Sequence, residues 1–167
     1  MIGFIGLGVM GAPMCRNLAA RSGLPVLGFD RDPAAAGAAG RPGRDRLRQP
    51  GGGGGRRHRV PVPAFGQSRF RAGRGFAASC PAGQLVVDLG TSPVALARQL
   101  GTAFAAAGTQ FADAPIARTR QAAEDGTLSI MVGADPAVFA RLQPLLACIA
   151  TMSPIAGRSA AGNWRRS

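Results

Sequence analysis

Residues 1–18 read MIGFIGLGVMGAPMCRNL, and inside them Gly6-Leu7-Gly8-Val9-Met10-Gly11 forms G-x-G-x-x-G. The six residues before and into it, MIGFIG, are a short apolar run bounded by glycine, the signature of a buried parallel strand. Residues 9–21 follow with a helical period, and Arg21 in the last turn suits the negative end of the helix dipole. A glycine loop between a strand and a helix has a physical meaning. Gly6 permits the tight turn, Gly8 lets backbone approach a pyrophosphate, and Gly11 lets the helix pack close to the strand. The helix amino terminus adds N–H groups without intrahelical partners and a positive dipole end, both suited to an anion. Residues 25–29 read as a second strand that ends at Asp30, 19 residues after Gly11. A carboxylate there accepts hydrogen bonds from ribose hydroxyls and disfavours a 2′-phosphate, which favours NAD; Arg31 beside it keeps NADP open. The plainer alternative is that the glycines only make turns and Asp30 only caps a loop.

Further along, LVVDLG at 85–90 reads as another buried strand and 93–107 as a helix of alanines and leucines. TQFADAP at 109–115 reads as a strand running into a loop, LSIMVG at 128–133 as a strand, and 136–150 as a helix. Alternating strands and helices predict an α/β fold with a parallel sheet, here a Rossmann-type dinucleotide-binding domain. With 167 residues there is room for one such domain spanning 1–150 but not for a large second one.

The formal charge of +12 invites a nucleic-acid partner. Every basic residue is arginine, and ten of the 20 fall in residues 41–76 against the single acid Asp45. The tail adds Arg158, Arg165 and Arg166, and the remaining stretches balance to zero. Residues of about 34–76 also lack any hydrophobic period, so their composition predicts a disordered interruption with no stable strand; 151–167 reads as a disordered tail. Cys15, Cys80 and Cys148 are too widely spaced for a metal motif or a disulfide framework, which points to a reducing cytoplasm. No apolar run approaches the roughly 18–20 residues of a membrane helix, and the amino terminus lacks the basic start of a signal peptide.

Three blocks carry a family resemblance. GFIGLGVMGAPMCRNL at 3–18 resembles the opening signature of the β-hydroxyacid dehydrogenases, the 3-hydroxyisobutyrate and 6-phosphogluconate dehydrogenase group, and Asn17-Leu18 extend the match past the glycine loop. Asp88-Leu89-Gly90-Thr91-Ser92-Pro93 resembles a second block, in which Thr91 matches a residue near the nicotinamide. DAPIARTRQAAEDGTLSIMVGAD at 113–135 resembles a third. There the family binds the substrate carboxylate with Ser-Gly-Gly; the matching positions here are Ala117, Arg118 and Thr119. Arg118 is either a bidentate clamp for that carboxylate or a solvated loop charge.

The resemblance implies hydride transfer between NAD(P) and a small β-hydroxyacid, a helical domain after the nucleotide domain, and homo-oligomers. It also implies a general acid/base lysine in a G-x-x-G-x-G-x-x-x-K stretch. This chain has no lysine, and His58, its one histidine, lies in the arginine-rich segment, so no catalytic residue is assigned. The helical domain is expected to be absent, and the central Rossmann strand is expected to be missing or distorted.

Both odd segments can be read as slips of the reading frame, the alternative being a genuine disordered insertion. With permitted codons, His58–Ala64 read from the second base gives I-V-F-L-C-L, a buried strand. One base inserted after the codon for Thr151 turns the tail into T-D-V-T-H-C-G-P-V-G-G-G-Q-L-A-K-I, which restores the lysine stretch. The expected function is therefore a dehydrogenase of this type, truncated and inactive as written. An arginine-rich nucleic-acid adaptor and a non-functional fragment are the alternatives.

Overall fold

The computed structural model describes residues 1–30, 32, 64–66 and 80–151. β1 (Ile2–Ile5) leads through the glycine loop to α1 (Gly11–Arg21) and β2 (Val26–Phe29). β3 (Ala64–Gly66), β4 (Leu85–Asp88), α2 (Val94–Ala106) and β5 (Gln110–Asp113) follow. The last elements are β6 (Ile116–Ala117), α3 (Arg120–Asp125), β7 (Ser129–Ile130) and α4 (Pro136–Leu146). Five strands form one parallel sheet in the order β2-β1-β3-β4-β5. This is the doubly wound α/β architecture that the alternation of elements predicts.

β4 shows why both faces need cover. All four of its residues are buried, and their side chains alternate between two cores. Leu85 and Val87 pack with Ile2, Phe4, Met14, Leu18, Leu142 and Leu146, so α1 and α4 cover one face. Val86 packs with Leu100, Phe104 and Phe111 on the other face under α2, where the Phe104 and Phe111 rings stack 5.3 Å apart. Each fully buried large side chain of this kind contributes about 1.5–3 kcal/mol by leaving water.

Two expectations are corrected. The central strand is present: β3 sits between β1 and β4 and pairs with both, although it falls inside the segment expected to hold no strand. Composition misleads here because a central strand is held by two backbone ladders, and unpaired donors and acceptors on β1 and β4 would otherwise be left inside the sheet. β3 has three residues where its neighbours have four. The rest of the arginine-rich segment, the tail after Thr151, and with them the two disorder expectations lie outside the described residues.

The expected strand at 128–133 shrinks to Ser129–Ile130, which pairs antiparallel with β6 in a separate two-stranded sheet. Joining parallel neighbours takes a crossover of roughly a dozen residues or more, and only Ala114 and Pro115 separate β5 from β6. α3, which sequence periodicity did not indicate, fills the turn between β6 and β7.

Candidate functional site

The parallel register aligns Phe29, Ile5, Gly66, Asp88 and Asp113 in one row across the carboxyl ends of the five strands. The chain leaves β1 toward β2 on one side, while β3 lies on the other. This makes a topological switch point beside β1, where α/β sheets open a ligand crevice. Gly6, Asp30, Thr91 and the run to Thr119 all leave the sheet at this edge.

The glycine loop is built as its spacing demands. Gly6 has φ 93°, a left-handed conformation that turns the chain off β1, and its N–H donates to the Phe29 carbonyl at 2.8 Å. An added Cβ on Gly11 would fall inside the Gly6 carbonyl and sit 3.3 Å from the Phe4 ring, so only glycine allows this approach of helix to strand. Gly8 is different. It is exposed, and an added Cβ would meet nothing within 4 Å, so the protein itself does not demand a glycine there. Leu7 is buried in the core, whereas Val9 is exposed and Met10 partly so. Met10, the N-cap of α1, makes no side-chain capping bond, and the first turn carries no acid. The open space at Gly8 and an uncapped helix start together fit a pyrophosphate.

Asp30 lies at the end of β2. Its Oδ2 accepts from the Leu7 N–H at 2.5 Å and its Oδ1 from the Asp32 N–H at 2.9 Å. The carboxylate therefore ties the second strand to the glycine loop. A carboxylate offers about four acceptor sites, and a ribose diol at this edge would donate to the same group. Arg31 lies outside the described residues.

Thr91 is exposed in the turn after β4. Asp88 shapes that turn, accepting from the Gly90 N–H and the Ser92 hydroxyl, both at 2.9 Å. Ala117, Arg118 and Thr119 are all exposed, and Thr119 caps α3 by accepting from the Ala122 N–H at 3.4 Å. Arg118 has φ 93°, the one positive φ among described non-glycine residues. The position thus has a backbone that favours glycine while carrying an arginine, at a cost of about 1–3 kcal/mol.

The family model described as the NAD binding domain of 6-phosphogluconate dehydrogenase matches residues 1–50 and 60–157. The chain belongs to that family. It is 32% identical to a 2-(hydroxymethyl)glutarate dehydrogenase of Eubacterium barkeri over an alignment 159 residues long that covers 89% of this chain and 50% of that protein. Its fold is similar to that of Mycobacterium tuberculosis 3-hydroxyisobutyrate dehydrogenase with L-serine, with TM-score 0.76 and 28% identity over 96% of this chain and 55% of the other. It is also similar to Psf3 in complex with NADP+ and 2-OPP, with TM-score 0.72 and 26% identity over 96% of this chain and 59% of that one. The chain therefore spans about half the length of the relatives it matches.

In this NAD-binding domain the sheet edge also holds a carboxylate pair that sequence reasoning missed. Asp88 and Asp113 are partners in register on β4 and β5. Burial pushes the Asp88 carboxyl up, opposed by the Gly90 N–H and the Ser92 hydroxyl. Burial, and then the charge of Asp88, push Asp113 up to about 6, and its Oδ1 is buried with no hydrogen-bond partner among the described residues. Two acids 25 residues apart in sequence give no signal of this pairing; only the register does.

The pair sets a pH dependence. Asp113 titrates higher when folded than its ordinary 3.8, so the folded state binds the extra proton. Its stabilising contribution is complete below about pH 4 and is lost as pH rises through about 6. Asp113→Asn is therefore expected to gain on the order of 1–2 kcal/mol over wild type at pH 8, a figure reduced for solvent screening of a partly exposed group. At pH 4 the two proteins should match. Urea denaturation at both pH values checks this, and a gain of equal size at pH 4 would contradict it.

Proposed function

We propose that this chain binds NAD(P) at the carboxyl edge of its sheet. In this reading it forms the nucleotide-binding half of a dehydrogenase for a small β-hydroxyacid of the 3-hydroxyisobutyrate type. The single observation that carries the reading is Gly8: the fold leaves open space where a side chain would sit, at the start of an uncapped helix and beside the switch point. When bound, the nicotinamide supplies or accepts the hydride. The N–H groups of Gly8 to Gly11 receive the pyrophosphate, with Leu7, Val9 and Met10 forming the rest of the loop. Asp30 accepts from the ribose hydroxyls, and Arg31 is the residue through which a 2′-phosphate would be tolerated. Thr91 contacts the nicotinamide end. Ala117, Arg118 and Thr119 face the acid, with the Arg118 guanidinium paired to its carboxylate.

The proton is the weak point. Removing hydride from a carbinol carbon requires the hydroxyl proton to leave as well, and the residue that takes it in the family is a lysine. These 167 residues contain none, so in this reading they do not themselves supply the base for that proton. The nucleic-acid alternative rests on the arginines of 41–76, and no observation in the described residues favours it.

Asp30→Ala separates NAD from NADP use. The Leu7 and Asp32 bonds are lost for either dinucleotide, so the loosened loop weakens both alike. The ribose contact belongs to NADH only. The NADH:NADPH affinity ratio is expected to fall about tenfold, the worth of one charge-assisted hydrogen bond. Fluorescence titration with both cofactors reads it, and an unchanged ratio would remove Asp30 from the ribose site.

A further inference from the structure

The last turn of α3 exposes a question of accounting. A six-residue helix is far too short to hold itself together, and the carbonyls of its last turn need partners from outside the helix. The Ala122 carbonyl accepts from the Gly126 and Thr127 N–H groups. The other three are claimed by α1. The Asn17 amide donates to the Ala123 and Glu124 carbonyls at 2.9 and 3.0 Å, and Arg21 donates to the Asp125 carbonyl at 3.2 Å. The second Arg21 arm donates to the Cys148 carbonyl at 3.3 Å, just beyond α4. Asn17 is buried, so its amide has no alternative in water. Gly126, at φ 72°, ends α3 against this same Arg21 guanidinium, and an added Cβ there would collide with it.

The two helices also share a direction of consequence. α1 starts at the glycine loop, and α3 starts directly after Arg118 and its cap Thr119. Asn17 lies six residues into α1, about 9 Å of helix rise from the loop. We infer that Asn17 and Arg21 are positioning residues that hold the Ala117–Thr119 loop at a fixed place relative to the glycine loop. They do so by gripping the carboxyl end of α3. They touch neither ligand. The inference deepens the proposed function, because it is that reading which makes the two loops the cofactor and acid sides of one site.

Hydrogen exchange on the whole chain tests the grip without any ligand. The reporters are the amides of Ala122, Ala123, Gly126 and Thr127, each bonded within the α3 unit. Arg21→Met removes both donor arms at an exposed position and is expected to leave the fold intact; Arg21→Lys keeps a donor; Asn17→Asp keeps the size but replaces the donating NH2 with an acceptor. The reporters are expected to exchange at least tenfold faster in Arg21→Met and Asn17→Asp, and near the wild-type rate in Arg21→Lys. Amides of β1 and β4 should stay within twofold. Equal reporter rates in wild type and Arg21→Met would overturn the inference, as would reporters and sheet amides speeding up together. A second arm adds NADH. It should slow the reporters in wild type and Arg21→Lys but not in Arg21→Met, a relay that a merely stabilising contact would not give. NADH that binds wild type and leaves its reporters unmoved counts against the positioning role. NADH that does not bind wild type sinks the dinucleotide reading instead, and the ligand-free comparison still decides the grip.

Discussion

A polypeptide of residues 1–167 is expected to give no measurable reduction of NAD with 3-hydroxyisobutyrate or glycerate. The reason is chemical. As hydride leaves the carbinol carbon, the hydroxyl proton must be taken by a base or the developing charge goes unstabilised. The base implied for the family is a lysine, and here all 20 Lys/Arg positions are arginine, which stays protonated at any working pH. Loss of general-base help alone costs roughly 10²–10⁴-fold in rate. With the codons assumed above, a gene carrying one extra base after the Thr151 codon is expected to code for the lysine in G-P-V-G-G-G-Q-L-A-K. It should turn over at least 100-fold faster on the general-base contribution alone. Comparable rates from the two polypeptides would overturn the assignment of the proton step.

Gly11→Ala is expected to be the most damaging single substitution in the glycine loop. The added methyl would fall inside the Gly6 carbonyl, and both partners are backbone, so neither has a rotamer to move. Overpacking typically costs about 1–3 kcal/mol, and a backbone collision belongs at the top of that range. A cost of about 3 kcal/mol lowers Tm by about 10 °C in a chain of this size. Thermal unfolding followed by circular dichroism checks it; a Tm within 2 °C or so of wild type would mean that helix and strand are not packed as described.

Much of this structure was legible because the governing signals are local. The glycine spacing fixed Gly6 to Gly11 on a strand-to-helix turn, and a run such as LVVD, buried on every residue, has few readings other than a central strand. What escaped notice depends on contacts far apart in sequence. β3 has no pattern of its own and exists through the two ladders beside it. α3 is too short for a period and depends on Asn17 and Arg21, more than 100 residues away. The pairing of Asp88 with Asp113 follows from parallel register alone. Arg118 was readable as a departure from the glycine of the motif it resembles, but only the backbone shows that it stands at a positive φ.

The central claim is that the glycine loop holds a dinucleotide, and Gly8→Val tests it most directly. An added Cβ at Gly8 meets no protein atom within 4 Å, so the substitution should leave Tm unchanged while it fills the space claimed for the pyrophosphate. NADH fluorescence titration of wild type beside Gly8→Val, both folded by circular dichroism, is therefore decisive. The account predicts saturable binding by wild type and a loss of about 100-fold or more in the variant, the worth of at least two charge-assisted hydrogen bonds. Equal affinity in the two proteins would contradict it.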